Sequence, residues 1–93
     1  MQETPAQSSA SILYVEDDED LAEEVAEALR EHHRFVKAVG TGRDAQNALN
    51  SEHFDLIILD WQLPDVDGIE VLKDFRQRGG TTPILMLTGM KDI

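Results

Sequence analysis

The sequence contains no cysteine, which excludes disulfides, thiolate metal sites and thiol nucleophiles. Cations are scarce too: 8 Lys and Arg stand against 19 Asp and Glu, a net charge of −11. Phosphate backbones would be repelled by such a segment, so direct nucleic-acid binding is not expected. The same balance suits a divalent cation or a basic partner surface, although most of the acids need be no more than a solvated face. No apolar run approaches the ~20 residues of a membrane span, and the N-terminus lacks a basic stretch followed by an apolar one. A cytoplasmic protein with no membrane association is the default. What is present is enough for one small domain: 93 residues, 41% of them hydrophobic. A chain of this size buries roughly 60% of its unfolded surface.

Residues 1–10 are polar, carry Pro5 and show no periodicity, so they read as a flexible leader ahead of a domain over 11–93. Residues 11–15 make a short strand, which runs directly into Glu16, Asp17, Asp18, Glu19 and Asp20. A helix follows. Leu21, Val25, Ala28 and Leu29 supply its apolar stripe, and Asp20 with Glu23 has the spacing of a capping box. Acids in a first helical turn favour the helix dipole, which accounts for Asp18, Glu19 and Asp20. It does not account for Glu16 and Asp17, which lie on the strand's exit. His32 and His33 are expected to be solvent-facing near the helix end. Residues 35–39 read as a second strand ended by Gly40. Thr41 and Asp44 have cap spacing, and Ala45, Ala48 and Leu49 form a modest helical stripe.

Residues 56–59 are an unbroken apolar run, too short for a buried helix and rich in isoleucine. That suits a strand covered on both faces, as in a parallel sheet. It ends on Asp60, and Pro64 soon forbids further ladder pairing. Asp67 and Glu70 then fit a cap, with Ile69, Leu72 and Phe75 as a buried stripe and Gly79-Gly80 as the stop. Residues 84–87 form a last apolar strand, which exits on Thr88-Gly89. The order β-α-β-α-β-α-β predicts a parallel sheet with right-handed crossovers. If the first and third strands are neighbours, their connections leave to opposite faces and open a crevice at the carboxyl ends. Glu16, Asp17 and Asp60 would converge there. Such a cluster is hard to explain as a stability device and makes sense as a cage for a hard ion such as Mg2+. A hydroxyl at Thr88 could bond a phosphoryl oxygen in that crevice, with Gly89 leaving it room.

With these stretches in place, the sequence resembles the receiver domain of bacterial two-component response regulators. The residues that carry the resemblance are Ile12-Leu13-Tyr14-Val15-Glu16-Asp17-Asp18, Asp55 through Pro64, Asp67-Gly68, and Pro83-Ile84-Leu85-Met86-Leu87-Thr88-Gly89. The resemblance implies a flavodoxin-like doubly wound parallel sheet of strand order 2-1-3-4. It implies that Asp60 is the phosphoacceptor, a carboxylate nucleophile, and that Thr88 is the switch hydroxyl. Asp17 and Asp60 would ligate Mg2+, Glu16 would act mainly through water, and the backbone carbonyl of Gln62 would complete the ligands. The phosphodonor would be a histidine kinase or a histidine phosphotransfer protein, and an output domain or partner protein would read the switch. The module is not expected to be an enzyme.

The resemblance also has gaps. The family's lysine at the end of a fifth strand finds no match by position, since Lys91 follows Thr88 too closely. The fifth strand and last helices have no counterpart, so an incomplete receiver with impaired switching is expected. The uncovered surface and the free edge of the last strand lead one to expect a homo-oligomer. Two other readings compete with the switch. One is a Mg2+-dependent phosphohydrolase with an aspartate nucleophile, which in haloacid-dehalogenase-like enzymes carries a second Asp where this chain has Gln62. The other is a phosphate-independent binding module, against which the full acidic set and Thr88 argue.

Overall fold

The two runs with no polar face, residues 12–15 and 56–59, lie side by side in the middle of a sheet in the computed structural model, which describes residues 8–87. The elements in order are β1 (Ser8–Val15), α1 (Glu19–Arg30), β2 (His33–Val39), α2 (Gly42–Ser51), β3 (Leu56–Asp60), α3 (Gly68–Gln77) and β4 (Ile84–Leu87). All strand pairs are parallel, in the order β2-β1-β3-β4. The chain therefore moves outward from β1 to β2, then returns across the sheet to β3. Helix α1 covers one face, over Ile12, Tyr14 and Ile58. Helices α2 and α3 cover the other, over Leu13, Val15, Ile57 and Leu59. Successive side chains of a strand point to opposite faces, which is why both runs had to be apolar throughout.

Local chemistry marks the helix starts. Thr41 Oγ1 accepts the Asp44 N–H at 3.0 Å and caps α2. Asp67 Oδ1 accepts from Ile69 N–H at 3.3 Å and caps α3. Past the end of α3, Gly79 takes φ +88°, and the Gly79 and Gly80 N–H groups close back onto Arg76 and Phe75 carbonyls. That is the left-handed stop which glycine allows without a Cβ clash.

The structure corrects several local expectations. Helix α1 is capped by Asp18, which accepts the Leu21 N–H at 3.1 Å, rather than by Asp20. Its buried face carries Ala22, Val25, Ala26 and Leu29, while Ala28 is exposed. On α3, Val71 is the fully buried residue, with Leu72 and Phe75 packing around it. Small residues carry little weight in an apolar count, yet they seat a helix closest to a sheet. Strand β1 begins at Ser8, whose N–H donates to the His32 carbonyl at 2.8 Å. His33 is the first residue of β2, half-buried, with Nδ1 shielded and lacking a hydrogen-bond partner. Pairing across the sheet, invisible in the chain's own alternation, extends both strands.

The two edges of the sheet differ. On β4, Ile84 and Met86 pack into the core beneath α2 and α3. Leu85, in register with Ile58, stands on the α1 side and is 52% exposed, as Leu87 is 37% exposed.

At the amino ends of the strands, β1 and β3 are tied by side chains as well as by the ladder. Ser11 N–H donates to Asp55 Oδ2 at 2.8 Å, and Asp55 N–H returns a bond to the Ser11 carbonyl, also at 2.8 Å. That backbone donor, with a smaller contribution from His53 at 3.5 Å, holds the Asp55 carboxyl below its ordinary value of 3.8. A group depressed in the fold binds fewer protons there than when unfolded. Its contribution is present above the ordinary value and lost as pH falls through the lowered one. Asp55→Ala is therefore expected to lower the urea midpoint at pH 7, with the gap to the parent closing as both are titrated into acid below 3.8. A gap that stays constant to the lowest pH would show that the carboxylate's charge contributes nothing.

Candidate functional site

The acidic run at the end of β1 divides its work by position. Glu16 N–H donates to the Val39 carbonyl at 3.0 Å, so the ladder continues one residue past β1 and turns the Glu16 side chain inward. Glu16 is 3% exposed, and its Oε2 accepts the Asp18 N–H at 3.0 Å. Asp17 is exposed; Asp18 caps α1, and Glu19 and Asp20 occupy that helix's first turn. On the neighbouring strand Asp60 is the last residue of β3 and is 1% exposed. Because Val15 is in register with Leu59, the residues that follow them meet at the same sheet end.

Glu16, Asp17 and Asp60 each bring a carboxylate oxygen within 4.8 Å of the others. At such a separation two ionised carboxylates repel by about 3 kcal/mol at an effective dielectric of about 20. Two of the three are buried, so water screens them poorly. A divalent cation removes that repulsion, and an all-oxygen set of this kind matches the preference of hard ions. The donor chemistry therefore fits a metal, with the exposed Asp17 on the open side. Among the described residues this is the one cluster of that kind.

The loop from Trp61 to Asp67 shapes the rim of the site. Gln62 N–H donates back to Asp60 Oδ1 at 3.3 Å. Gly68 N–H closes the loop onto the Trp61 carbonyl at 3.0 Å. A Cβ on Gly68 would lie 2.6 Å from the Asp60 carbonyl oxygen and 2.9 Å from that of Trp61, so the tight return needs glycine. Trp61 is 45% exposed and lines an open groove with Gln62, Leu63 and Asp67. Thr88, expected as the switch hydroxyl, and Lys91 lie outside the described residues.

Two features of the rim escaped sequence reasoning. The Asp65 carboxylate reaches α2, accepting Gly42 N–H on Oδ1 at 2.8 Å and Arg43 N–H on Oδ2 at 3.0 Å. Desolvation raises its pKa, but the donors from Arg43 and Gly42 outweigh it and leave the carboxyl below 3.8. Beside it, a Cβ on Gly42 would come within 2.8 Å of Val66. Away from the rim, Thr82 Oγ1 is buried and donates to the Phe54 carbonyl at 2.9 Å, joining the entries to β3 and β4. These partners are far apart in sequence, and no local period marks them. The only hint was an acid at Asp65 that no helix cap needed.

The chain matches the family model described as the response regulator receiver domain over residues 12–93. It is 43% identical over 82 residues to Protein RcaC of Microchaete diplosiphon, covering 88% of this chain and 13% of that protein. It is 40% identical over 81 residues to the transcriptional regulatory protein TcrA of Mycobacterium tuberculosis, covering 87% of this chain and 32% of that protein. The chain thus spans only a minor part of these curated relatives. Among solved structures it superposes on the MaeR response regulator bound to beryllium trifluoride with a TM-score of 0.77, at 30% identity over 86% of this chain and 67% of that one.

Gly68→Ala is expected to push the loop off the Asp60 carbonyl and cost about 1–3 kcal/mol, the usual range for overpacking. Urea unfolding checks this; an unchanged midpoint would mean the loop yields without strain.

Proposed function

This chain belongs to the response regulator receiver domain family, and from that premise we propose that it is a phosphoacceptor switch acting through Asp60 and Mg2+. It is a signalling module rather than a catalytic enzyme. The observation that carries the reading is the convergence of Glu16, Asp17 and Asp60 at the carboxyl ends of two adjacent strands. MaeR's binding of beryllium trifluoride adds support, since that anion has the shape and charge of a phosphoryl group.

In this reading a carboxylate oxygen of Asp60 attacks phosphorus. The bond from phosphorus to the donor's imidazole nitrogen breaks, the nitrogen regains its electron pair, and an aspartyl phosphate remains. Asp17, Asp60 and the Gln62 carbonyl would hold Mg2+, with Glu16 acting through water, and the ion would supply neutralisation of the transferring charge. The N–H of Gln62 keeps Asp60 Oδ1 oriented. Thr88 directly follows β4, whose Leu87 is in register with Asp60, and we assign its hydroxyl to the phosphoryl oxygens. The donor is a histidine kinase or histidine phosphotransfer protein, and the reader is an output domain or partner protein. The transcriptional regulatory role that TcrA's name carries belongs to a protein of which this chain covers 32%.

Incubation with an acyl phosphate and Mg2+ is expected to give a label that is acid-stable, alkali-labile and absent in Asp60→Asn. Label that persists in Asp60→Asn would identify another acceptor and overturn the assignment.

We further propose that this chain associates with a second copy of itself. The exposed Leu85 and Leu87 share one side of β4 at a sheet edge. Each large apolar side chain brought out of water contributes roughly 1.5–3 kcal/mol. Light scattering after size exclusion is expected to show a dimer that Leu85→Lys shifts toward monomer. A parent that remains monomeric at high micromolar concentration would exclude it.

A further inference from the structure

The metal ligands proposed above sit on two strand ends, but Gln62 lies on a loop, and a loop carbonyl is only as well placed as the loop is held. Residues 61–67 are anchored at both ends: Trp61 N–H bonds the Leu87 carbonyl at 3.1 Å, and Gly68 N–H bonds the Trp61 carbonyl. Between those anchors, Leu63 and Val66 are partly buried against the core, which fixes no backbone direction. The directional hold on the middle of the loop is the Asp65 carboxylate, received by two successive N–H groups at the start of α2. The positive end of that helix favours a negative charge there. Thr41 already caps the same helix through the Asp44 N–H, so Asp65 takes donors that Thr41 leaves open.

We propose that Asp65 is a positioning residue for the metal site: by clipping the β3–α3 loop to the start of α2, it holds the Gln62 carbonyl and the Gln62 N–H in place around Asp60. It touches neither metal nor phosphoryl group and acts through the loop. The contacts are mutually supporting. Gly42 has no Cβ, so Val66 seats against it, and the same residue's N–H meets Asp65. Loss of the carboxylate leaves two N–H groups at the start of α2 without their acceptor and frees the middle of the loop to sample other carbonyl directions. The inference rests on the Mg2+ reading of Glu16, Asp17 and Asp60, and deepens it.

Trp61 fluorescence under titration with MgCl2 supplies the test, with Asp17→Asn as the control for the metal reading itself. Relative to the parent, Asp65→Ala is expected to raise the Mg2+ midpoint roughly tenfold, the low end of what outer partners of metal sites contribute. Asp65→Asn, which keeps one acceptor, should fall between the two. Thr41→Ala weakens the start of α2 but leaves the clip, so its midpoint should match the parent. An Asp65→Ala chain with the parent's midpoint would overturn the clip, and so would a Thr41→Ala chain shifted equally. A parent whose signal ignores Mg2+, or is copied by Asp17→Asn, would overturn the metal reading and the clip with it. Should Asp65→Ala fail to fold, coupling is reciprocal, so Mg2+ must in turn slow hydrogen exchange at the Gly42 and Arg43 amides of the parent. Exchange at those amides unchanged by saturating Mg2+ would also sink the proposal.

Discussion

Parallel pairing of β1 with β3 is the constraint from which the rest of the molecule follows. The register that sets Val15 against Leu59 delivers the next residues of both strands, acids in each case, to one place. Neither Glu16 nor Asp60 can retreat into water, because the strands carrying them are covered on both faces. The apolar burial that stabilises the sheet therefore also forces together charges that repel. A cation would relieve that conflict, so the fit of this cluster to a metal is a consequence of the fold's own packing.

The topology explains why the site is open on one side. From β1 the chain leaves by α1 on one face, and into β3 it arrives from α2 on the other. The crevice between the two departures lies above β1 and β3, where no helix crosses among the described residues. Asp17 occupies its exposed side while Glu16 and Asp60 form its floor. The loop after β3 then serves as a wall. Its length allows it to carry Gln62 and the exposed Trp61, and its return at Gly68 leaves no space for a side chain. The same short loop both shapes the rim and starts α3 at Asp67.

The helices on the two faces are held differently. Thr41 and Asp67 cap α2 and α3 in the way their spacing announces, because an N-cap satisfies donors only three or so residues away. Asp18, by contrast, caps α1 in place of Asp20. Five consecutive acids offer several candidates of equal local merit. The strand's exit decided among them: Glu16 was already committed to the β2 ladder, and the backbone turns into the helix immediately afterward. Similarly, Ala26 rather than Ala28 faces the core because the rotation of α1 is set by the sheet beneath it.

By itself the sequence determined the element order, the strand order through its resemblance and its crossovers, the caps of α2 and α3, and the convergence of the acids Glu16, Asp17 and Asp60 at the strand ends. All of these are written in short-range signals: apolar runs of strand length, cap spacings, and carboxylates stranded at strand ends. Tertiary structure alone decided the rest. It lengthened β1 and β2 by pairing, brought His33 into the sheet, seated α1 and α3 on Ala26 and Val71, and joined Asp65 to Gly42 and Arg43 across the rim. Each of those depends on residues distant in the chain meeting at a distance and angle that only the assembled sheet supplies, and no local period encodes such a meeting.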